Sequence, residues 1–207
     1  MSATRISSAG EIRDCLSAIG KHVISFSGFG ELGYEEEDVV ERVARDILLP
    51  WRSHEILVNS GTLLRSGGQD GIAAVYAVAR QLGIETTGIH PSIALDFSET
   101  HHPSPFCDRV FFVEDRTWGG FDGPGRLSPT LQVVLDVSDE LVVIGGGKHA
   151  ADELEAFMAG GKRVRYFAAE MNRHATTEWC RRSGASITDY RGAAHATWLS
   201  LGQSGDH

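Results

Sequence analysis

Residues Asp139–Leu154 read DELVVIGGGKHAADEL, and this stretch decides the fold. Leu141 to Ile144 form a short, continuous apolar run bounded by charge on one side and glycine on the other. Such a run is what a strand buried on both faces of a parallel sheet requires. Gly145, Gly146 and Gly147 follow, and then a helical pattern begins. Glycine lets the chain turn sharply and leaves no Cβ in the way of a ligand. A helix start presents unpaired N–H groups and a partial positive charge, which suit a phosphate. Strand, glycine turn and helix start together predict a nucleotide or anion site. A tight turn without any ligand is the alternative.

Outward from that centre, the same unit recurs. His22–Ser27 is a strand expectation that runs into Gly28-Phe29-Gly30, and Tyr34 to Leu49 reads as a helix with four acids, Glu35 to Asp38, in its first turn. Those acids suit the helix dipole and would repel a phosphate there, so Ser27, Gly28 and Gly30 are the better ligand contacts. Glu55–Asn59 is the next strand. It leads into Ser60-Gly61-Thr62 and on to Arg65, Gly67 and Gly68, a second phosphate-type loop, before a helix from about Ile72 to Leu82. Thr86–His90 is a third strand. Residues 91–107, with three prolines and adjacent His101 and His102, read as a loop; neighbouring histidines on an extended chain point opposite ways, and no zinc spacing accompanies them. Arg109–Val113 is a fourth strand. Its 13-residue sequel EDRTWGGFDGPGR carries Trp118, which suits either stacking on a nucleobase or closure over a site, or else plugs the underside of a long loop. Helices at Leu127–Val137 and Ala150–Met158 and strands at Leu141–Ile144 and Val164–Ala168 complete the core.

The N-terminal segment 8–20 is expected to be an amphipathic helix capped by Ser8 with Glu11 three residues on and closed by Gly20. A helical extension covers 171–201, with helices near His174–Ser183 and Ala193–Leu201 and a short apolar piece at Ala185–Thr188. The final GQSGDH reads as a disordered tail. The 207 residues fit one domain with its core at about 22–170. The fold expected is α/β, Rossmann-like and doubly wound: a mostly parallel sheet of about six strands with helices on both faces. Ligands of such sheets sit at the carboxyl ends of the strands, where all the glycine-rich stretches fall.

Composition bounds the rest. Apolar content of 42% and charged content of 23% are ordinary for a globular protein. No run reaches the ~18 apolar residues of a membrane span, and the N-terminus lacks the apolar region of a secretory signal. Cys15, Cys107 and Cys180 are odd in number and without CxxC spacing, which suits reduced thiols and a cytoplasmic location. A net charge of −9 argues against a nucleic-acid surface. Neither a metal nor a resident cofactor is expected.

Two segments carry a family resemblance. The second glycine loop with VYAVARQLGIETTGIHP, and SDELVVIGGGKHAADELEAF followed by GKRVRYF, resemble two nucleotide-facing units of a Rossmann-like superfamily. It contains the cytokinin-activating phosphoribohydrolases (formerly "lysine decarboxylase-like"), molybdenum-cofactor carrier-like proteins and the DNA-processing protein of natural transformation. The resemblance covers roughly residues 22–170 and implies a homodimer. The phosphoribohydrolases carry P-G-G-x-G-T-x-x-E where this chain has Ile144 to Asp152. Their proline is Ile144, their third glycine Lys148, their threonine His149 and their glutamate Asp152, with Glu153 beside it. Their catalytic arginine has no clear match; Thr130 and Gln132 stand in that region, with Arg126 at its start. The resemblance therefore implies a phosphate-cradling frame with altered chemistry. One function is binding of a phosphorylated nucleoside or nucleotide-derived molecule without turnover, with Lys148 on a phosphate and Trp118 on the base. The other is hydrolysis of a nucleotide N-glycosidic bond, with Asp152 or Glu153 at the cationic centre and Arg126 or Arg116 supporting the departing group.

Overall fold

A computed structural model describes residues 6–202. Residues 203–207 of the expected tail 202–207, and the first five residues, lie outside the described residues. The strands are β1 (Ile6–Ser7), β2 (His22–Gly28), β3 (Ile56–Asn59), β4 (Leu64–Arg65), β5 (Glu85–Pro91), β6 (His101–His102), β7 (Arg109–Val113), β8 (Glu140–Ile144) and β9 (Arg163–Phe167). The helices are α1 (Ala9–Ile19), α2 (Val39–Leu48), α3 (Ala74–Gln81), α4 (Pro129–Val137), α5 (Lys148–Ala159), α6 (Arg173–Ser183) and α7 (Gly192–Ser200).

Seven strands form one sheet in the order β1-β7-β5-β3-β2-β8-β9, and every pairing is parallel. The fold is α/β and Rossmann-like. Six of the strands are those the apolar runs predict; the seventh, two-residue β1, lies at the edge beside β7 and is too short to announce itself by pattern. Alternation along the strands sends side chains to two cores. Ile24, Phe26, Ile56, Val58, Val142 and Ile144 face α2 and α3, while Val23, Leu57, Leu141 and Val143 face α1, α4, α5 and α7. The capping box expected for α1 is present: Ser8 Oγ accepts from the Glu11 N–H, the Glu11 carboxylate accepts from the Ser8 N–H, and Gly20 closes the helix in the left-handed region.

Two local expectations need correction. The helix read from Tyr34 starts at Val39, because Tyr34 is used elsewhere: it is buried, pairs with Met171 in an isolated bridge, and its hydroxyl is bonded inside the sheet. The four acids therefore precede α2 and do not form its first turn. Residues 91–107 are not wholly loop. Ser92–Phe97 wind into a 3₁₀ helix, and His101–His102 pair antiparallel with β4 to make a two-residue ribbon. Prolines and mixed polarity hide such short elements from periodicity.

The sheet order reverses at β2, with β3 on one side and β8 on the other. A Rossmann-like sheet commonly offers its ligand crevice at this switch point. Here part of that crevice is taken by the Tyr34 side chain. The Tyr34 hydroxyl accepts from the Phe29 N–H at 2.9 Å and donates to the Ile144 carbonyl at 2.9 Å, stitching the ends of β2 and β8 together. It occupies the space in which a Gly28 Cβ would stand, since that atom would also come within 2.6 Å of the Ile144 oxygen. Among the described residues no helix is long and apolar enough to cross a membrane.

Candidate functional site

Beside this stitch a cavity opens over the carboxyl ends of β2, β3 and β5 and the start of α5. It has a volume of about 370 Å³. Ser27 and Gly28 come from the end of β2, Gly30 and Glu31 from the turn after it, and Gly61 and Thr62 from the turn after β3. Thr130 stands near the start of α4, and His149 and Glu153 on the first turns of α5. Arg65 on β4, His101 on β6 and Trp118 on the long loop border the opening. The ribbon of β4 and β6 thus brings together two segments that the sequence separates by more than thirty residues.

Glu153 is the group whose surroundings are most altered. The carboxyl is desolvated, which pushes its pKa up to about 7; a hydrogen bond with the Ser27 hydroxyl works against that shift, and the nearby Asp152 charge adds to it. Such a carboxyl is partly protonated near neutrality and can give or take a proton. Thr130 is 6% exposed and its Oγ1 makes no hydrogen bond of normal length among the described residues. Its position is fixed by the Thr130 N–H, which donates to Asp115 Oδ2 at 3.0 Å. Asp115 also accepts from the N–H and hydroxyl of Thr117, so one buried carboxylate ties the start of α4 to the root of the Trp118 loop. Trp118 itself is 42% exposed and lies 5.2 Å from the Phe97 ring and 5.8 Å from His101, centroid to centroid. It is an aromatic wall at the mouth, not a plug beneath the loop. Under the floor, His90 is fully buried; desolvation lowers its pKa to about 4, and Nδ1 is 3.0 Å from the Gly61 carbonyl oxygen. A neutral His90 donating from Nδ1 holds that glycine turn in place.

Of the residues picked out from sequence, Ser27, Gly28, Gly30, Gly61, Trp118 and Glu153 line this cavity together. The others lie apart from its wall. Ser60 is fully buried beneath it, with its N–H donating to the Tyr76 hydroxyl. Gly67 and Gly68 form the turn after β4, where Gly68 N–H donates to the Arg65 carbonyl. Gly145 and Gly146 turn the chain with φ of +53° and +125°, but the space above them is taken. A Cβ on Gly145 would meet Ala169 O at 3.0 Å and the Phe29 ring, and one on Gly146 would strike Ala150 and meet Ala194 Cβ at 3.4 Å. The Gly146 carbonyl accepts from the Ala194 N–H of α7 at 3.1 Å. These two glycines serve close packing of α7 on the turn. Gly147, with nothing near its missing Cβ, is the N-cap of α5 and offers no side chain to the helix amides. Lys148 reaches back to Asp152 at 2.8 Å and is 76% exposed in its side chain. Asp152 Oδ2 also accepts from the Phe121 N–H at 3.1 Å. It anchors the Trp118 loop to α5, while Glu153, about 100° further round the helix, faces the cavity. Arg126 pairs with Asp122 at 2.8 Å and Arg116 with Asp96 at 2.6 Å, both on the surface. Thr130 and His149 are among the cavity residues that sequence reading did not select; each stood at a position where the resemblance pointed, but with an unfamiliar residue type.

No family model matches the sequence, and no curated protein matches it. Among solved structures, the Moco carrier protein of Chlamydomonas reinhardtii is similar at 18% identity and a TM-score of 0.48, over 88% of this chain and 98% of that one. A second structure of that molybdenum cofactor carrier protein gives 18% identity, a TM-score of 0.48, and 88% and 100% coverage. Such carriers are among the proteins the sequence resemblance names. What the cavity does must come from its own side chains.

Proposed function

We propose that this chain binds a phosphorylated nucleoside, or a related nucleotide-derived small molecule, in the cavity at the carboxyl ends of β2, β3 and β5, as a sensor or carrier. The observation that carries this reading is the pairing, in one cavity, of an exposed tryptophan at the mouth with a hydroxyl-and-carboxyl floor. A base can stack on Trp118 and be read from below by Ser27, Thr130 and Glu153. The start of α5 borders the same cavity through His149. Its N-cap, Gly147, leaves the first helix amides without a side-chain partner, which suits a phosphate. Arg65, held by Glu31 at 2.7 Å, stands at the other rim and is available to an anionic group if that pair opens.

A second reading is favoured by Glu153 alone. A desolvated carboxyl titrating near neutrality, hydrogen-bonded to a serine, is suited to general acid or base work on an N-glycosidic bond. In that role it would protonate a departing base or take a proton from the water that replaces it. Titrating the purified chain with a panel of nucleoside mono-, di- and triphosphates by calorimetry tests binding. Chromatography of the same mixtures for free base tests turnover. Saturable binding with no released base supports the carrier or sensor reading, and base release supports the hydrolase. Absence of both refutes the site. The resemblance also implies a homodimer, which light scattering at micromolar concentrations tests; a monomer would count against it.

A further inference from the structure

The floor of the cavity has a hydrogen-bonding inventory that can be counted. Ser27 is 7% exposed and its hydroxyl is engaged with the Glu153 carboxyl. No salt bridge among the described residues includes Glu153, so no protein cation neutralises it. Thr130 is 94% buried, and among the described residues its Oγ1 makes no hydrogen bond of normal length; its nearest polar neighbour is the Asp115 carboxylate, whose pKa the Thr130 hydroxyl helps to lower. A buried hydroxyl so loosely held loses free energy until something bonds it well. When ionised, the Glu153 carboxyl offers two oxygens that only accept. The floor therefore presents adjacent acceptors from Glu153 and, from Thr130, an O–H donor held only loosely by Asp115 and able to turn to a ligand.

We propose that this floor recognises a guanine-type edge: a ring N–H and an exocyclic amino group donating side by side to Glu153, with the neighbouring carbonyl accepting from Thr130. This assignment rests on the nucleotide reading and names the base class for the same site. A bidentate, charge-assisted pair to a carboxylate is stronger than the neutral bonds an adenine edge could make there. It also supplies the positive polarisation that Glu153 lacks. Thr130 then acts as a specificity residue, because an edge without the carbonyl leaves its hydroxyl unpaired, and unpaired buried groups are the most effective means of rejecting an analogue.

Recognition of this kind is linked to protons. Two donors need the ionised carboxylate, and burial holds Glu153 up at about 7. The charged or titratable groups around it are Asp152 and His149 on α5, the Arg65–Glu31 pair at the rim and His101 on β6. Below about pH 7, binding must expel a proton, so affinity falls as pH drops, approaching tenfold per unit; the same fall is absent in Glu153→Gln. A phosphate group takes up a proton of its own at about pH 6, so the trend is read on a base without phosphate.

Calorimetry with guanosine and adenosine monophosphates, and with 2-amino-4-oxopyrimidine as the bare edge, tests the proposal on the wild type, Glu153→Gln and Thr130→Val. Circular dichroism checks that the variants fold. The expected result is at least tenfold preference for the guanine nucleotide and proton release on binding at pH 7. Glu153→Gln should lose about tenfold for guanine with little change for adenine, and Thr130→Val should narrow the preference by several-fold even if the other variant misfolds. Equal affinity for both bases, or equal losses for both in Glu153→Gln, overturns the edge assignment while leaving nucleotide binding intact. Binding of the bare edge in a Glu153-dependent way, without binding of any nucleotide, overturns the nucleotide reading and keeps the edge. Failure of every probe to bind overturns both.

Discussion

Removing the Tyr34 hydroxyl tests how the switch point is stitched. Tyr34→Phe keeps the ring, which packs edge-on against Phe29 at 5.3 Å, and deletes only the oxygen. Two groups lose their partner: the Phe29 N–H and the Ile144 carbonyl, each 2.9 Å from that oxygen and each in a buried residue. An unsatisfied buried backbone group costs about 1–3 kcal/mol. With two of them, and a small void with little room for water, the loss should be about 2–4 kcal/mol. Denaturant unfolding followed by circular dichroism should show a lower midpoint with an unchanged slope, since the surface exposed on unfolding is the same. Because the cavity wall includes Gly28, which packs directly on that hydroxyl, ligand affinity should fall as well. A stability loss below about 0.5 kcal/mol, the size of an ordinary surface change, would refute the stitching role.

Gly28→Ala should be at least as damaging, because its Cβ would lie 2.6 Å from the Ile144 oxygen and collide with the Tyr34 hydroxyl; thermal unfolding would register a lower midpoint. Asp152→Ala should free the Trp118 loop from α5, giving faster proteolysis within 114–127 and several-fold weaker binding; unchanged cleavage would show that the Phe121 contact is dispensable. The pH dependence of stability has two opposed contributions. Glu153, raised from 4.5 to about 7, keeps its proton when folded, so it destabilises as pH rises through that window. His90, lowered from 6.5 to about 4, stays neutral when folded, so stability is lost as pH falls from 6.5 towards 4. Glu153→Gln removes the first and should make acid destabilisation between pH 6.5 and 4.5 steeper than in the wild type; an unaltered slope would contradict the burial of Glu153.

The fold was legible because its signals are local. Leu141–Ile144 and Ile56–Asn59 are short apolar runs that admit only buried strands, and Ser8 with Glu11 writes the start of α1 directly. Part of the wall of the candidate cavity was also legible, since Ser27, Gly28, Gly30 and Gly61 gather after strands at one rim. What failed to show was long-range. Nothing local to Tyr34 says that its hydroxyl will cross to Ile144, 110 residues away, and so delay the start of α2. Gly145 and Gly146 look like an open anion turn until Phe29 and Ala194 arrive from distant segments to fill it. The exchange of roles between Asp152 and Glu153 depends on the facing of α5 relative to the Trp118 loop, which neighbouring carboxylates in a sequence cannot reveal. Thr130 carries no motif; only its burial and its loosely held hydroxyl beside Asp115 mark it.

The most direct test of the central claim is a crystal structure of the chain grown with saturating guanosine monophosphate. Ligand density in the cavity, with the base between Trp118 and the Glu153–Thr130 floor and the phosphate at the start of α5, is the result expected. Density over Gly145 and Gly146 with α7 displaced, or a cavity filled only by solvent at saturating nucleotide, would contradict it.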